Sequence, residues 1–148
     1  MSKFTSEVTV EAPRRFAVVD LTQEVESLLR TSRIREGLVN IFCRHTTCGV
    51  IINELEDGLS EDLAWTLNHL VPDGYYAHDD LSRRTQNLQG PNEPANGSAH
   101  VRQILLNPTS QTVPVADGQL LLGRWQRILF LELDHPRPRG IYVSILGA

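Results

Sequence analysis

Lysine is almost missing from this chain. Lys3 is the only lysine among 14 basic side chains, and the others are arginines. Arginine makes the planar, bidentate contacts to carboxylates and phosphates that lysine cannot. The bias suits anionic ligands, but a GC-rich genome produces it equally and is the weightier explanation. Cysteine is nearly as scarce. Cys43 and Cys48 stand in C-x4-C spacing with no further cysteine to complete a zinc site or a secreted disulfide framework. Reduced thiols in a cytoplasmic protein are the expectation. No stretch approaches the ~20 apolar residues needed to cross a bilayer, and Met1 to Thr5 form no apolar signal region. A membrane partner is therefore not expected. There is no excess of positive charge either: the formal charge is −4, which argues against non-specific nucleic-acid binding. Glycine-rich phosphate loops, Walker motifs and the Ser-His-Asp order are all absent.

What remains is an ordinary globular composition, 41% apolar and 22% charged over 148 residues, enough for one core and too short for two domains. Phe4, Ser6, Val8 and Val10 alternate as a strand, Pro13 marks a turn, and Arg15 to Leu21 read as a second strand. Thr22 is a candidate N-cap for a helix carrying Val25, Leu28 and Leu29 and ending near Thr31-Ser32. Leu38 to Arg44 and Val50 to Asn53 follow as strands. Asp57 opens a second helix with Leu59, Leu63, Leu67 and Leu70 on its buried face. Asp73 to Ala95 is polar and aperiodic, the mark of a functional lid or a disordered segment. Asn96 or Ser98 can cap a short third helix. Thr112 to Val115, Asp117-Gly118 and Leu120 to Leu122 read as a hairpin, with Pro114 demanding an edge or a bulge. Trp125 to Asp134 and Ile141 to Ile145 complete the strands. The order reads as α+β, with a largely antiparallel sheet or sandwich and two to three helices.

The densest chemistry lies in Arg44-His45-Thr46-Thr47-Cys48-Gly49, followed by Asn53-Glu54. An imidazole and two hydroxyls beside a carboxylate can bind a metal or an oxyanion, or move a proton. Thr46 and Thr47 are candidates to donate to phosphate oxygens. His69 reads as structural in a helix's last turn, and His135 as exposed in a turn. His45, His78 and His100 remain. Three histidines with an open position suit a catalytic zinc or another divalent metal, although separate elements give no diagnostic spacing. Glu132 shares a strand face with Ile128 and Phe130, so it lies near a sheet edge or is buried opposite a partner, and a buried carboxylate needs a cation, a metal or strong donors. Arg137 and Arg139 lie across the next turn to supply them. Gln126 on that face would add an amide.

His45-Thr46-Thr47, Asn53-Glu54, Leu70-Val71-Pro72 and His78-Asp79 form the first half of an ordered pattern. Ala99-His100, Pro114-Val115, Gly118, Leu122-Gly123-x-Trp125-Gln126, Glu132 and Pro136-Arg137-x-Arg139 form the second. With these residues the chain resembles the YjbQ family, also called the secondary thiamine-phosphate synthase family, over residues 1–148 as a single YjbQ-like domain. The resemblance implies a compact α+β fold, a homotrimer with pockets near subunit interfaces, and a transferase of thiamine metabolism. That transferase would join a pyrimidine pyrophosphate to a thiazole phosphate. It implies His45, His78 and His100 as site histidines surrounded by Asn53, Glu54, Gln126 and Glu132. His45, His100 and Glu132 are then the catalytic candidates, and His45, His78 and His100 the ligands of a zinc or magnesium ion. Thr46, Thr47, Asn53, Glu54, Gln126 and Arg139 are the substrate-binding candidates, facing a small phosphorylated molecule or another anion. The rival expectation is a non-enzymatic trimer that holds a metal or an anion. Two departures from the family pattern bear on activity: Ala95 and Ser98 stand where acidic or histidine residues are usual, and Cys48-Gly49 follows the threonines.

Overall fold

Alternation along the strands decides the architecture. In the computed structural model, which describes residues 1–148, β1 (Ser2–Val10) turns Phe4, Ser6, Val8 and Val10 inward and the intervening residues to solvent. It pairs antiparallel with β8 (Arg139–Gly147), which in turn pairs with β3 (Gly37–Cys43). β5 (Ser110–Ala116) and the two-residue β6 (Gln119–Leu120) extend this to a five-stranded sheet ordered β1-β8-β3-β5-β6. A second, three-stranded sheet is ordered β2-β7-β4, from Val18–Asp20, Arg127–Glu132 and Cys48–Asn53. All pairings are antiparallel.

The main core lies between the two sheets. Val39, Ile41, Val143 and Ile145 of the first sheet belong to one buried cluster with Val50, Ile128 and Phe130 of the second. α1 (Thr22–Ser32) adds Val25 and Leu29 to it. The far side of the small sheet is also covered. Leu131 and Leu133 join Phe16, Leu67 of α2 (Asp57–Leu70) and Ala99 of α3 (Gly97–Leu106) in a second cluster. β7 thus reads as alternating in sequence yet is buried on both faces, because apolar residues occupy both of its registers.

Several local expectations change in detail. Thr22 does not cap α1. Its hydroxyl accepts from the Ile128 N–H (3.0 Å), while Asp20 accepts from the Thr22 N–H (2.8 Å). α2 opens at Asp57 as expected, and Glu56 caps it, accepting from Gly58 and Leu59 (2.8 and 2.7 Å). Only Val18–Asp20 of the Arg15 to Leu21 run is strand, since Phe16 sits at φ 62°. Asp117 and Gly118, at φ 52° and 75°, make the left-handed two-residue turn that their identities favour. Pro114 pairs with Leu38 of β3, and its carbonyl points the other way, to Leu121 (2.9 Å). Its missing N–H therefore faces the nearly open side beyond β5, where no ladder bond is lost.

The segment after α2 is ordered by polar contacts rather than by apolar burial. A 3-10 turn spans Ala77–Asp79, and the Arg84 side chain donates to the carbonyls of His78, Gln86 and Asn87 (3.3, 3.1 and 2.9 Å). Beneath it Arg102, fully buried, donates to the Val71 carbonyl, to Ser98 (3.2 Å) and to Asp73 (3.2 Å), and lies over the Phe16 ring. Arg15 clasps the same Asp73 (2.8 and 3.0 Å), and this pairing holds its carboxyl down to about 2.

The two sheets meet in a buried ion pair. Arg139, at the start of β8, donates to both carboxylate oxygens of Glu132 at the end of β7 (2.7 and 3.0 Å), and both side chains are sealed from solvent. No buried side-chain nitrogen or oxygen lacks a partner anywhere in the chain. Glu132→Gln leaves a buried guanidinium without its counter-charge. We expect it to lower stability by about 3–5 kcal/mol in urea denaturation, and a loss under ~1 kcal/mol would show that the pair is dispensable.

Candidate functional site: a cationic cleft with three histidines

Where β3 leaves the five-stranded sheet and β4 enters the other, the four residues Arg44 to Thr47 must cross between layers. They form one wall of an open cleft of about 1240 Å³ whose other wall is the ordered segment 77–96 and the start of α3. Five arginines and three histidines line it, against the single carboxylate of Glu93, and only one lining residue is apolar. That balance favours anions.

Buried contacts fix each wall. Thr47 is 2% exposed, and its hydroxyl accepts from Arg139 (3.2 Å) and Arg137 (3.3 Å). Arg137 also pairs with the buried Asp134 (3.0 Å). Burial works to raise the Asp134 carboxyl, but hydrogen bonds from Asn96, the His135 backbone and Arg137 hold it below its ordinary value. His45 Nε2 accepts from the Gly140 N–H (3.1 Å), so the neutral ring carries its proton on Nδ1. Burial and the neighbouring Arg139 and Arg137 lower its pKa, with Glu132 opposing them.

On the opposite wall the His78 and His100 rings lie 4.5 Å apart, centroid to centroid. Asp79 Oδ1 positions both. It contacts His78 Nδ1 at 3.2 Å and accepts from the backbone N–H groups of Asn96 and Gly97 (3.0 and 2.9 Å), which open the helix that carries His100. A Cβ on Gly97 would stand 2.5 Å from Tyr76 Cβ, so this approach requires glycine. Burial, then the facing His78, lowers the His100 pKa, and Arg84 adds to this against Asp134 and Asp79.

The cleft therefore brings together His45, Thr46, Thr47, His78, His100 and Arg139. The other candidates lie elsewhere. Glu132 is fully buried behind the cleft as the partner of Arg139, so it holds a wall and does not face a ligand. Asn53 and Glu54 border a separate apolar cavity of about 80 Å³, with Val18, Ile51 and Leu63, that shares no residue with the cleft. Gln126 accepts from the Gly123 N–H (2.7 Å) and shapes an exposed turn. The three-histidine metal set is not assembled: no three His, Cys, Asp or Glu donors are grouped to hold an ion. His45 spends its Nε2 lone pair on Gly140. Ser98 is tied to Asp73 (3.2 Å) and Arg102, and Ala95 is not among the lining residues, so neither departure removes a group from the cleft. Arg83 and Arg84 were missed. Nothing in an aperiodic segment marks an arginine as facing inward, and only the double Arg with no acid beside it gave a signal.

This antiparallel α+β fold is that of a known family. Residues 6–148 match the model of the UPF0047 protein YjbQ-like family, and the chain belongs to it. It is 39% identical over 148 residues to a UPF0047 protein of Methanothermobacter thermautotrophicus, covering 99% of this chain and 94% of that one. It is 33% identical to UPF0047 protein YugU of Bacillus subtilis, covering 93% and 96%. Among solved structures it is similar to a protein from Sulfolobus solfataricus, described as of unknown function (TM-score 0.85, 32% identity, 99% of both chains). A hypothetical protein from Aeropyrum pernix is similar too (TM-score 0.84, 35% identity, 98% and 99%). These findings overturn the expectation of a thiamine-phosphate synthase. The relatives are named only as UPF0047 proteins, and the solved neighbour is of unknown function. Nothing in them favours the rival non-enzymatic trimer either. No helix of the chain is long and apolar enough to cross a membrane.

Acid should destabilise the fold through its lowered histidines. A folded-state pKa below the unfolded value means that the neutral ring is favoured in the fold. The stability that His45 and His100 contribute is then present above the ordinary value near 6.5 and lost as pH falls through their lowered values. Urea midpoints at pH 7 and 5 should fall with acidification, and His45→Gln should lessen the fall. Adding sulfate at pH 5, which pairs with the protonated rings, should restore much of it. Equal falls in both proteins, with no effect of sulfate, would remove His45 from this role.

Proposed function

We propose that the cleft binds a small phosphorylated molecule and carries out phosphate-ester chemistry on it, with His78 and His100 as the proton-transfer pair. The observation that carries this reading is the convergence of five arginines and three histidines on one open cavity with a single carboxylate. Phosphoryl transfer spreads charge over the phosphate oxygens in its transition state, and fixed cations around them lower the barrier. Arg84 and Arg83 are without ion-pair partners, so their charge is available to a ligand, and Arg44 reaches Glu7 only at 3.9 Å. His78 is oriented by Asp79. Burial and His78 lower the His100 pKa, which favours the neutral ring that a base needs, and the facing His78 is placed to return the proton.

A divalent cation, zinc or magnesium, enters this reading only with the ligand. Phosphate oxygens and water would supply its shell, because the proton transfer uses the imidazole lone pairs. The cytoplasm is the proposed setting, supported by two cysteines that are both free.

Calorimetric titration with inorganic phosphate should give saturable binding that weakens in Arg84→Ala and Arg137→Ala. A panel of phosphate mono- and diesters should include one cleaved above a no-protein blank, with His100→Ala and His78→Ala each costing about 10²–10⁴ in kcat. Absence of phosphate binding would overturn the reading. Binding without cleavage of any ester would remove its acid–base half.

The same reading extends to assembly as a homotrimer. Directly opposed strand residues share a face, and by register the outer face of the five-stranded sheet carries Leu38, Phe42, Pro114 and Leu146. The leucines and Phe42 are 40–49% exposed. That face runs to the cleft through Tyr142, whose ring lies 4.3 Å beneath Arg44. Light scattering at micromolar concentration should give three times the 16.6 kDa chain mass, and a monomer mass would remove the claim.

A further inference from the structure

Cys43 closes β3 and Cys48 opens β4, so they stand at the two ends of the turn that carries Arg44, His45, Thr46 and Thr47 into the cleft. Their sulfurs lie 3.6 Å apart, both thiols are free, and both residues are buried to within 1%. The backbone on either side is pinned. The Cys43 N–H donates to the Thr109 carbonyl (2.8 Å), Cys43 pairs with Ile141, and Cys48 pairs with Glu132 of the buried ion pair. We propose that Cys43 and Cys48 form a peroxide-oxidisable dithiol, and that its disulfide displaces the Arg44–Thr47 turn and weakens anion binding in the cleft. The regulatory part rests on the phosphate-binding reading above.

The geometry sets the direction. A disulfide holds its sulfurs near 2.05 Å, so closing the present 3.6 Å gap brings the two sulfurs together by roughly 1.5 Å and loads the turn between them. With both strand ends hydrogen-bonded into sheets, the four residues between them absorb the change. Thr47 then shifts against Arg137 and Arg139, which its hydroxyl now accepts from, and His45 shifts against Gly140. The two thiols are also unequal in the way the chemistry needs. The hydrogen bond from Cys48, with help from the His45 backbone and Arg139, outweighs burial and lowers the Cys43 pKa. The same hydrogen bond, together with burial, raises that of Cys48. Cys43 is thus the attacking sulfur and Cys48 the resolving one.

In the first step the Cys43 thiolate attacks one peroxide oxygen. The O–O bond breaks, and Cys43 becomes a sulfenic acid while hydroxide leaves and takes up a proton as water. In the second the Cys48 sulfur attacks Cys43 Sγ, the S–O bond breaks, and the departing hydroxide takes the Cys48 proton. Two thiols and one peroxide give one disulfide and two waters, with two electrons passing from sulfur to oxygen. Because both thiols are buried, the oxidant reaches them only when the turn opens. A bound anion opposes that opening, and by linkage phosphate should slow the oxidation.

The test uses the full chain, reduced and freed of reductant, then exposed to hydrogen peroxide with and without inorganic phosphate. After quenching, alkylation in denaturant and intact mass read the thiols, and calorimetry on the native protein reads phosphate affinity. We expect loss of two hydrogens, roughly tenfold weaker phosphate binding as befits an ångström-scale displacement of site residues, full recovery with dithiothreitol, and slower oxidation under phosphate. Cys48→Ala and Cys43→Ala should bind phosphate like the reduced protein and keep that affinity after peroxide, although Cys48→Ala can still gain oxygen at Cys43; either variant suffices if the other does not fold. Two alkylatable thiols after peroxide, or a disulfide that leaves phosphate affinity unchanged, overturns the proposal. Equal loss of affinity in Cys48→Ala would also do so by placing the damage elsewhere. Failure of the reduced wild type to bind phosphate overturns instead the functional reading and the regulation built on it, while the mass still reports whether the disulfide forms.

Discussion

The cleft depends on the ion pair between Glu132 and Arg139. It joins the end of a strand in the small sheet to the start of a strand in the large one, in a place sealed from solvent. A pair so buried contributes little net stability over an apolar substitute, because desolvation offsets most of its Coulomb attraction. Its contribution is positional. Arg139 holds the Thr47 hydroxyl, and the next residue, Gly140, donates to His45. The wall of the cleft is thus fixed by a contact that no ligand touches, as sites held to sub-ångström tolerance require.

The opposite wall has its own fixed point in Asp79. One carboxylate oxygen meets an imidazole of a 3-10 turn and two backbone amides that begin α3. The amides at a helix start favour negative charge, so the residue that orients His78 also anchors the helix bearing His100. The two walls communicate through Asn96, which follows the turn and donates to Asp134, the partner of Arg137. A polar network closes around the cleft without an apolar lid.

Much of this was legible in the sequence, for reasons that can be assigned residue by residue. Strict alternation marked β1 and β8, and Asp117-Gly118 marked the hairpin, because each depends on local backbone preferences. His45, Thr47, His78 and His100 stood out because polar groups in strand-like or loop contexts without a face to explain them need partners. The carboxylates were harder. Glu132 was recognisable as needing a cation, and its neighbour Arg139 supplied it, yet sequence could not say that the pair would be sealed away from the ligand. Asn53 and Gln126 were misplaced because family likeness carries no geometry. One satisfies its own neighbour's amide and the other a tight turn. The order of the segment from Asp73 to Ala95 was invisible, since it rests on arginine donors reaching backbone carbonyls rather than on periodic burial.

That last feature explains the sign of the cleft. There are two ways to fix an arginine in a wall. Arg137 and Arg139 are held by Asp134 and Glu132, which set their geometry and also cancel most of their charge. Arg84 is held by three carbonyls and Arg83 by the Tyr75 hydroxyl, so their geometry is set by neutral acceptors and the charge survives. The chain as a whole is acidic, at −4, yet the cleft is cationic because its acids are spent behind the walls and its unpaired arginines stand in front. The two kinds of arginine therefore divide the work. The paired ones shape the cavity, and the carbonyl-held ones supply the field that an anion entering it would meet.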